Sequence, residues 1–248
     1  MRFLVTGARG TVGQVLVPTL EAAGHEVHTW DRDAVPPEDA AAGAALVGEL
    51  LPHWVCHLAM GPEAWAGRLA AEAGERGARI LQVSSAMVFD ASTPGPYTLD
   101  ATPGPRDDYG RYKLRCEEAV RAADPEALVV RIGWQIGAGR GGNQMVEALH
   151  EQMERAGEIA ASSAWVPATS FLEDTCEAFL ALMARDARGL HHLDSNAACA
   201  WTYDRIVAAL RERLGAADWV VRVNQDYVHD QRLLDPRVPV RSLAERLG

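Results

Sequence analysis

The most constraining feature of the sequence is the glycine turn TGARGTVG, residues 6–13, which lies between a short apolar run and a segment with helical periodicity. Gly7 permits a tight turn, Gly10 lets a pyrophosphate approach the backbone at a helix N-terminus, and Gly13 lets a helix pack closely on a strand. Asp31 follows about twenty residues later, where a dinucleotide-binding unit places an acidic residue at the adenosine ribose. The turn therefore predicts dinucleotide binding, the alternative being a tight strand–helix turn without a ligand.

Strand-like and helical segments alternate regularly over residues 1–135 and more loosely afterwards. The strands are near-continuous apolar runs, as expected when helices cover both faces of a parallel sheet. The pattern predicts an α/β fold with a doubly wound parallel sheet. We expect a dinucleotide-binding core that includes the active site over residues 1–135. Residues 136–248 then supply the last core elements and a small C-terminal substrate-binding subdomain.

The composition excludes several classes of function. A formal net charge of −10 argues against general affinity for nucleic acid or anionic membranes. The 4 cysteines show no CxxC spacing, which favours reduced thiols over a disulfide framework or a zinc site. His191 and His192 are adjacent on a strand candidate and point to opposite faces, so we predict no metal. No apolar run is long enough to span a bilayer, and we expect a cytoplasmic protein.

Charged residues near the turn bear on the choice of cofactor. Asp31 would accept hydrogen bonds from an adenosine ribose and repel a 2′-phosphate, which favours NAD(H). Arg9 and Arg32 could each bind a 2′-phosphate, and two guanidiniums favour NADP(H) over NAD(H). The cofactor-binding residues predicted from this region are Gly7, Arg9, Gly10, Thr11, Val12, Gly13, Asp31 and Arg32.

A second candidate feature is the segment DDYGRYKLRCE, in which Tyr109 and Lys113 are four positions apart and share one helix face. A free tyrosine has a pKa of about 10, which an adjacent ammonium and an oxidised nicotinamide would lower. Ser84 and Ser85 end the strand ARILQVSS at the carboxyl edge of the predicted sheet, where a hydroxyl can hold a reacting oxygen. The three residue types together suit hydride transfer at a carbon that bears oxygen. For the Tyr–Lys pair alone, a solvated helix face is the alternative.

Three motifs, TGARGTVG, VSSAMVFD and YGRYK, resemble the extended short-chain dehydrogenase/reductase family of the NAD-dependent epimerase/dehydratase type. Within it, the chain is most similar to dTDP-4-dehydrorhamnose reductase-like sugar-nucleotide ketoreductases. The resemblance implies catalytic roles for Ser85, Tyr109 and Lys113, with Lys113 also contacting the nicotinamide ribose. It assigns Ser84 to a backbone-bonded strand end. It also implies that the cofactor is lined by Leu58, Ala59 and Met60.

The chain departs from this family in three places. The serine motif usually continues with Asp-Tyr, but Ala86 and Met87 stand here and remove polar partners near the substrate. The Asp-Glu pair of the related dehydratases is absent, which argues against dehydration. The segment between HWVCHLAM and ARILQVSS is shorter than usual and lacks the family's asparagine. The helix that often forms the dimer in this family lies in that segment and is therefore shortened. A homodimer is still predicted.

The substrate side is predicted with open alternatives. Met87, Phe89 and Trp134 could line a substrate pocket or belong to the core. Asn143 could contact the substrate or cap the helix that follows it. Arg140, in the loop GAGRGGN, could contact a diphosphate, or the loop could simply be mobile. We name Met87, Trp134 and Asn143 as substrate-binding candidates.

The sequence thus predicts an NAD(P)-dependent reductase that transfers a hydride to a ketone. The substrate would be a nucleotide-linked 4-keto sugar or a related natural-product intermediate, with no nucleic-acid or membrane partner. One alternative is a sugar-nucleotide epimerase that retains its NAD tightly. An alternative of another class is a non-catalytic NAD(P)-sensing regulatory protein.

Overall fold

The computed structural model describes residues 1–248. In the first part of the chain, strands alternate with helices without exception. Apolar runs form the strands; α1 begins directly after the glycine turn, and α2, α3 and α4 begin at acidic or proline-containing segments. The elements are β1 (Arg2–Thr6), α1 (Gly13–Ala22), β2 (Glu26–Thr29), α2 (Ala40–Leu50), β3 (Trp54–His57), α3 (Glu63–Glu75), β4 (Arg79–Ser85), α4 (Asp108–Ala123) and β5 (Leu128–Ile132).

The second part keeps the alternation but has shorter strands. The three helices predicted there are present, and GLHHLD and DWVVRV each contain a strand. The elements are β6 (Trp134–Ile136), α5 (Met145–Ala156), β7 (Ile159–Ser162), β8 (Trp165–Val166), β9 (Thr169–Phe171), α6 (Leu172–Ala184), β10 (Gly189–Leu193), α7 (Tyr203–Arg213), β11 (Val221–Asn224), β12 (His229–Asp230) and α8 (Leu243–Leu247). None of the helices combines the length and the apolar character that a membrane crossing requires.

The central sheet has 6 strands in the order β10-β5-β4-β3-β1-β2, all parallel. In the sheet, β2 lies on one side of β1, and β3 lies on the other side. The direction in which strands are added therefore reverses at this place, and a topological switch point lies between β1 and β3. Ligands bind at the carboxyl ends of the strands beside such a point. The predicted doubly wound parallel sheet is confirmed. Three further pairs, β7 with β11, β8 with β12 and β6 with β9, form small sheets in the second part.

Two apolar layers cover the central sheet. One contains side chains of α1 and α6, such as Leu16 and Phe179. The other contains side chains of α2, α3 and α4, such as Val47, Leu69 and Val120. Because α6 and β10 come from the second part of the chain, that part contributes one edge strand and much of one layer of the core. The predicted boundary at residue 135 stays a prediction.

A separate apolar cluster lies between α5, α7 and the small sheets, and it includes Trp219 and Met145. This cluster forms the core of the C-terminal region, which lies beside the carboxyl edge of the central sheet through β6 and β9. The position of β6 follows directly from β5, since only Gly133 separates the two strands. A Cβ on Gly133 would lie 2.1 Å from the Ala168 carbonyl oxygen, so the close approach of β6 to the neighbouring segment requires glycine.

Candidate active site

A cavity of about 1200 Å³ lies at the carboxyl edge of the central sheet, beside the switch point. Its walls come from the ends of β1, β3, β4 and β5 and from the C-terminal region. Every residue that the sequence predicts for catalysis, cofactor or substrate lines it, although their roles stay predictions. They are Gly7, Arg9, Gly10, Thr11, Val12, Gly13, Asp31, Arg32, Leu58, Ala59, Met60, Ser85, Met87, Tyr109, Lys113, Trp134 and Asn143.

The glycine turn forms one end of the cavity. Gly7 has a φ of 71°, and a Cβ there would lie 2.8 Å from the Ala59 amide nitrogen. A Cβ on Gly13 would lie 2.2 Å from the Gly7 carbonyl oxygen, so α1 packs against the turn at a distance that only glycine allows. Val12 precedes α1 and provides no side-chain cap. The Thr11, Val12 and Gly13 amides form no hydrogen bond within the protein and are free to bind an anion, which fits the pyrophosphate of a dinucleotide.

Thr6 and His57 join the ends of β1 and β3 beneath this turn. The Thr6 hydroxyl accepts the amide hydrogens of Leu58 and Ala59 at 3.2 and 3.3 Å. It lies 2.8 Å from Nδ1 of His57 and donates its own hydrogen there. Burial, together with the smaller effect of the nearby Lys113 ammonium, lowers the pKa of His57 to about 3. Sequence reasoning missed this pair, because His57 belongs to no recognised motif, although Thr6 opens the glycine turn.

Charged groups at the end of β2 surround the expected adenosine position. One carboxylate oxygen of Asp31 accepts the Asp33 amide at 2.9 Å, so this side chain is partly engaged by its own turn. The Arg32 guanidinium lies 6.0 Å from the centre of the Trp65 ring. Neither Arg9 nor Arg32 forms an ion pair with a carboxylate. This end of the cavity thus offers two unpaired cations, Arg9 and Arg32, and the carboxylates of Asp31 and Asp33.

The Ser85, Tyr109 and Lys113 side chains meet where β4 ends and α4 begins. Ser85 follows the strand directly, and its Oγ accepts the Met87 amide at 3.2 Å in a single 3₁₀ turn over Ala86–Val88. Asp107 caps α4 by accepting the Gly110 amide at 2.7 Å. A Cβ on Gly110 would lie 2.1 Å from the Met87 carbonyl oxygen, so α4 packs directly on the 3₁₀ turn. This contact places Tyr109 beside Ser85.

Lys113 is 4% exposed, and its Nζ donates to the Val83 carbonyl oxygen at 3.1 Å. It lies 5.8 Å from the centre of the Tyr109 ring. Tyr109 retains 44% exposure and forms part of the cavity wall. The pair therefore shares one helix face, as the spacing predicts, with the ammonium below the phenol.

The predicted lowering of the Tyr109 pKa includes the effect of a bound oxidised nicotinamide and stays a prediction. Desolvation in the cavity raises the pKa of Tyr109, and the Ser85 hydroxyl opposes that rise. Desolvation also lowers the pKa of Lys113, against the effects of Cys116 and Glu117. Burial disfavours both charged forms, so a phenolate here needs the additional positive charge of a bound oxidised nicotinamide.

A buried ion pair supports α4 from below. Glu117 and Arg131 are 2% and 3% exposed and form two hydrogen bonds of 2.9 and 2.8 Å. The Ser84 hydroxyl also donates to Glu117. Ser84 pairs with Arg131 in the ladder near the end of β4, as predicted, and its side chain in addition belongs to this ion pair. Ser85 is the serine whose hydroxyl lies at the cavity.

The opposite end of the cavity, which we call the acceptor half, is formed by Met87, Trp134, Asn143, Trp165, Tyr227 and Gln231. The Trp134 and Trp165 rings stack with centres 6.1 Å apart and planes at 22°. Sequence reasoning missed Trp165, Tyr227 and Gln231. The pairing of β12 with β8 brings the last two residues to the cavity, and no local sequence signal predicts such a pairing.

The structure gives the contacts of three further residues that the sequence left with alternative roles. Gln144, not Asn143, caps α5, by accepting the Val146 amide at 2.7 Å. The Asn143 amide donates to the Thr11 hydroxyl at 3.0 Å, which ties this loop to the glycine turn. Phe89 is 2% exposed and stacks on a neighbouring tyrosine within the core. Arg140 binds two glutamates and does not line the cavity.

Residues 1–226 match the family model described as RmlD substrate binding domain. The chain is 29% identical over 235 residues to a dTDP-4-dehydrorhamnose reductase of Mycolicibacterium smegmatis, covering 87% of this chain and 70% of that protein. It is 29% identical over 240 residues to a dTDP-4-keto-6-deoxy-D-glucose reductase of Streptomyces niveus, covering 88% and 80%.

Among solved structures, the fold is similar to that of dTDP-4-dehydrorhamnose reductase from Bacillus anthracis in complex with NADP. The TM-score is 0.82 at 17% identity, and the match covers 99% of this chain and 96% of that chain. This similarity concerns the fold, which is that of a parallel sheet with helices on both faces.

Proposed function

The chain belongs to the RmlD substrate binding domain family, and from this premise we propose that it is an NAD(P)-dependent ketoreductase. The observation that carries the proposal is that Ser85, Tyr109 and Lys113 line the same cavity as the glycine turn. A glycine turn alone would support nucleotide binding without chemistry. The added hydroxyl, phenol and ammonium are the groups that reduction of a ketone requires.

Each of the three residues has a distinct role in this proposal. A reduced nicotinamide, when bound, supplies the hydride that forms the new C–H bond at the ketone carbon. The Ser85 hydroxyl donates a hydrogen bond to the ketone oxygen and holds it as negative charge develops. The Tyr109 hydroxyl gives its proton to that oxygen, and the product is an alcohol. Lys113 stabilises the phenolate that remains and orients the ribose next to the nicotinamide.

We infer that the preferred cofactor is NADP(H). Arg9 and Arg32 are not neutralised by carboxylates, and each can meet a 2′-phosphate with two or more N–H donors. Asp31 has one carboxylate oxygen engaged by the Asp33 amide, which holds this group in its own turn. Its repulsion of the phosphate is therefore the weaker effect.

The substrate class follows from the relatives. Two of them are named as reductases of dTDP-linked keto sugars, and a nucleotide-linked 4-keto sugar is accordingly the substrate that we propose first. Ala86 and Met87 replace the polar residues expected after the active-site serine, which leaves a related natural-product ketone as the second member of the class. A homodimer stays a prediction.

A titration with NADPH and NADH, followed by nicotinamide fluorescence, tests the cofactor part. We expect both to bind and NADPH to bind at least about tenfold more tightly, or roughly 1.4 kcal/mol. Replacing both arginines (Arg9→Ala with Arg32→Ala) is expected to remove this preference and leave NADH binding nearly unchanged. Arg222→Ala, at an exposed ion pair with Glu158, is the matched control. Folded protein that binds neither cofactor would overturn the proposal.

The same titration on the Tyr109→Phe variant tests the chemistry. We expect the variant to bind NADPH like the wild type and to lose about 10²- to 10⁴-fold in turnover of a keto sugar, the usual contribution of a general acid. A non-catalytic sensor would show no turnover in either form. Wild-type activity in the variant would show that Tyr109 is not the proton donor.

A further inference from the structure

Gln231 is a buried side chain that lines the acceptor half and forms almost no polar contact with the protein. It is 6% exposed, and its Nε2 contacts the Met87 sulfur at 3.6 Å. A thioether is a weak acceptor, and no protein group donates to the Gln231 carboxamide oxygen. Burial of a carboxamide without full hydrogen bonding costs free energy, which hydrogen bonds to a ligand would recover. The side chain is therefore available to a ligand.

Gln135 shows how a glutamine of the same cavity is bound when its role is structural. Its Nε2 donates to the Gly133 carbonyl oxygen at 3.0 Å. Its carboxamide oxygen accepts the Thr175 hydroxyl at 2.8 Å. Both ends of this carboxamide are thus paired within the protein, whereas those of Gln231 are not.

Gln231 lies beside the place where the ketone is held. Its amide contacts Met87, and the Met87 backbone amide donates to Ser85 Oγ at 3.2 Å. In the proposed reaction, Ser85 holds the ketone oxygen. Ala86 and Met87 have no side-chain hydroxyl, amide or charge. Gln231 thus supplies a polar side chain on a flank of the carbonyl where the two residues after the serine supply none.

The backbone around Gln231 is fixed by contacts from other parts of the chain. The Gln231 amide donates to the Val166 carbonyl oxygen at 2.8 Å, and the Tyr97 amide donates to that of Arg232 at 2.8 Å. The Arg232 guanidinium is bound to the Asp230 carboxylate at 2.7 Å. A side chain on such a segment is held in place before the substrate binds, which reduces the entropy lost on binding.

The segment that carries Gln231 lies outside the family match. The RmlD substrate binding domain model covers residues 1–226, which include the glycine turn and Ser85, Tyr109 and Lys113. The cavity therefore combines these residues with a polar side chain from a segment that the family model does not describe. A residue in this position can set the preference among ketones without changing the reaction.

The chemistry of the carboxamide indicates which substrate group it meets. A carboxamide both accepts and donates hydrogen bonds, and so does a hydroxyl group. In a 4-keto sugar, the hydroxyl on the adjacent ring carbon, C3, is the one nearest to the ketone oxygen. A group on this carbon extends from the carbonyl held by Ser85 toward its flank, where Gln231 lies beside Met87.

We propose that Gln231 is a specificity-determining residue that binds the hydroxyl on the carbon next to the reacting ketone. Its carboxamide oxygen accepts the hydrogen of that hydroxyl. The inference rests on the proposed ketone reduction and adds a feature of the substrate that the site selects. It concerns only the ring that is reduced and therefore holds for a nucleotide-linked sugar.

Two ketones that differ only at this hydroxyl test the inference. They are dTDP-4-keto-6-deoxy-D-glucose and its analogue with hydrogen in place of the C3 hydroxyl. We expect the NADPH-saturated wild type to reduce the first with a kcat/KM at least about tenfold higher, because the analogue leaves the carboxamide unpaired. A preference below about threefold would overturn the inference without any variant.

Gln231→Met keeps the length of the side chain and removes its polar atoms. We expect this variant to lose at least about fivefold of the preference, through a higher KM for the hydroxylated ketone. Its KM for NADPH and its kcat/KM for the deoxy analogue should stay within about twofold of the wild type. A purely structural role would instead reduce turnover of both ketones alike.

Gln225→Met is the matched control, since Gln225 lies in the same segment, is exposed and does not line the cavity. Gln231→Leu is a second variant, and near-ultraviolet circular dichroism checks that each variant is folded. Either folded Gln231 variant with the wild-type preference would overturn the inference and leave the ketone reduction intact. A wild type that binds NADPH and reduces neither ketone would overturn the reduction itself, and the role of Gln231 with it.

Discussion

At the residue scale, Gly13 is the position where the glycine turn tolerates least change. A Cβ there would meet the Gly7 carbonyl oxygen at 2.2 Å and the Ala8 Cα at 2.7 Å, both of them backbone atoms that cannot rotate away. We expect Gly13→Ala to cost about 1–3 kcal/mol of unfolding free energy, the usual range for an overpacked site. It should also weaken NADPH binding, because the start of α1 must move. Urea unfolding and the nicotinamide titration measure the two effects.

Gly74→Ala is the control for this prediction. Gly74 lies in α3, and a Cβ there would have nothing within 4 Å. Alanine is the better helix former by about 1 kcal/mol, so this variant should gain stability and keep its cofactor affinity. If the two alanine variants behave alike, the close packing of α1 on the turn does not matter.

Single residues of the site were predictable where a motif fixes their neighbours. Gly7, Ser85, Tyr109 and Lys113 belong to short patterns whose chemistry depends on local spacing, and all of them line the cavity. Tyr227 stands in an irregular segment without periodicity. It reaches the cavity only because His229 pairs with Trp165, far away in sequence, and short-range patterns carry no information on such a pair.

At the element scale, the ends of β1 and β3 are held together by a hydrogen bond that requires a neutral imidazole. The pKa of buried His57 is lowered to about 3 from 6.5. The unfolded chain therefore takes up a proton below pH 6.5 while the folded protein does not. The contribution of His57 to stability is thus complete above pH 6.5 and is lost as the pH falls toward 3.

Unfolding free energies of the wild type and of His57→Gln, measured in urea from pH 7.5 down to 4.5, test this point. We expect the wild type to lose stability relative to the variant below about pH 6.5, with a slope that approaches about 1.4 kcal/mol per pH unit. Because the two proteins differ only at this group, the other titrating residues cancel in the comparison. Parallel pH curves would mean that His57 is not held neutral in the folded protein.

The capping of the helices illustrates the limit of prediction for elements. The existence of α4 and α5 follows from their sequence patterns, but their starts depend on which polar side chain reaches an amide. Asn143 is the cap candidate that the sequence offers for α5, but in the structure Gln144 accepts the Val146 amide and the Asn143 backbone amide donates to Thr11. The competing contact comes from the glycine turn, which lies 132 positions earlier in the sequence.

At the scale of the whole molecule, the central sheet is completed by the second part of the chain. Residues 1–135 lack β10 and α6, whose side chains Leu193 and Phe179 are fully buried against β5 and α1. We expect a fragment of residues 1–135 to show no cooperative urea transition and no near-ultraviolet circular dichroism. The complete chain should unfold in a single transition with coincident probes. A fragment that unfolds cooperatively and binds NADPH would contradict this dependence.

The overall architecture was predictable because alternation of strand and helix leaves few topologies for a parallel sheet. The sequence predicts a strand in GLHHLD. Its position at the edge of the sheet beside β5 depends on the packing of α6 against the sheet. The acceptor half was not predictable as a surface, since it combines β6, β8 and the segment around β12. Sequence periodicity does not determine how short elements that are far apart in the sequence are arranged in space.

The tryptophans around the cavity have one more consequence. Trp30 lies near the adenosine end, and Trp134 and Trp165 lie in the acceptor half, so indoles flank the cofactor position from both sides. Indole emission overlaps the absorption of a reduced nicotinamide and not that of an oxidised one. The protein therefore carries its own optical reporter: resonance energy transfer from these indoles would dim its intrinsic emission when reduced cofactor is bound and restore it at each turnover.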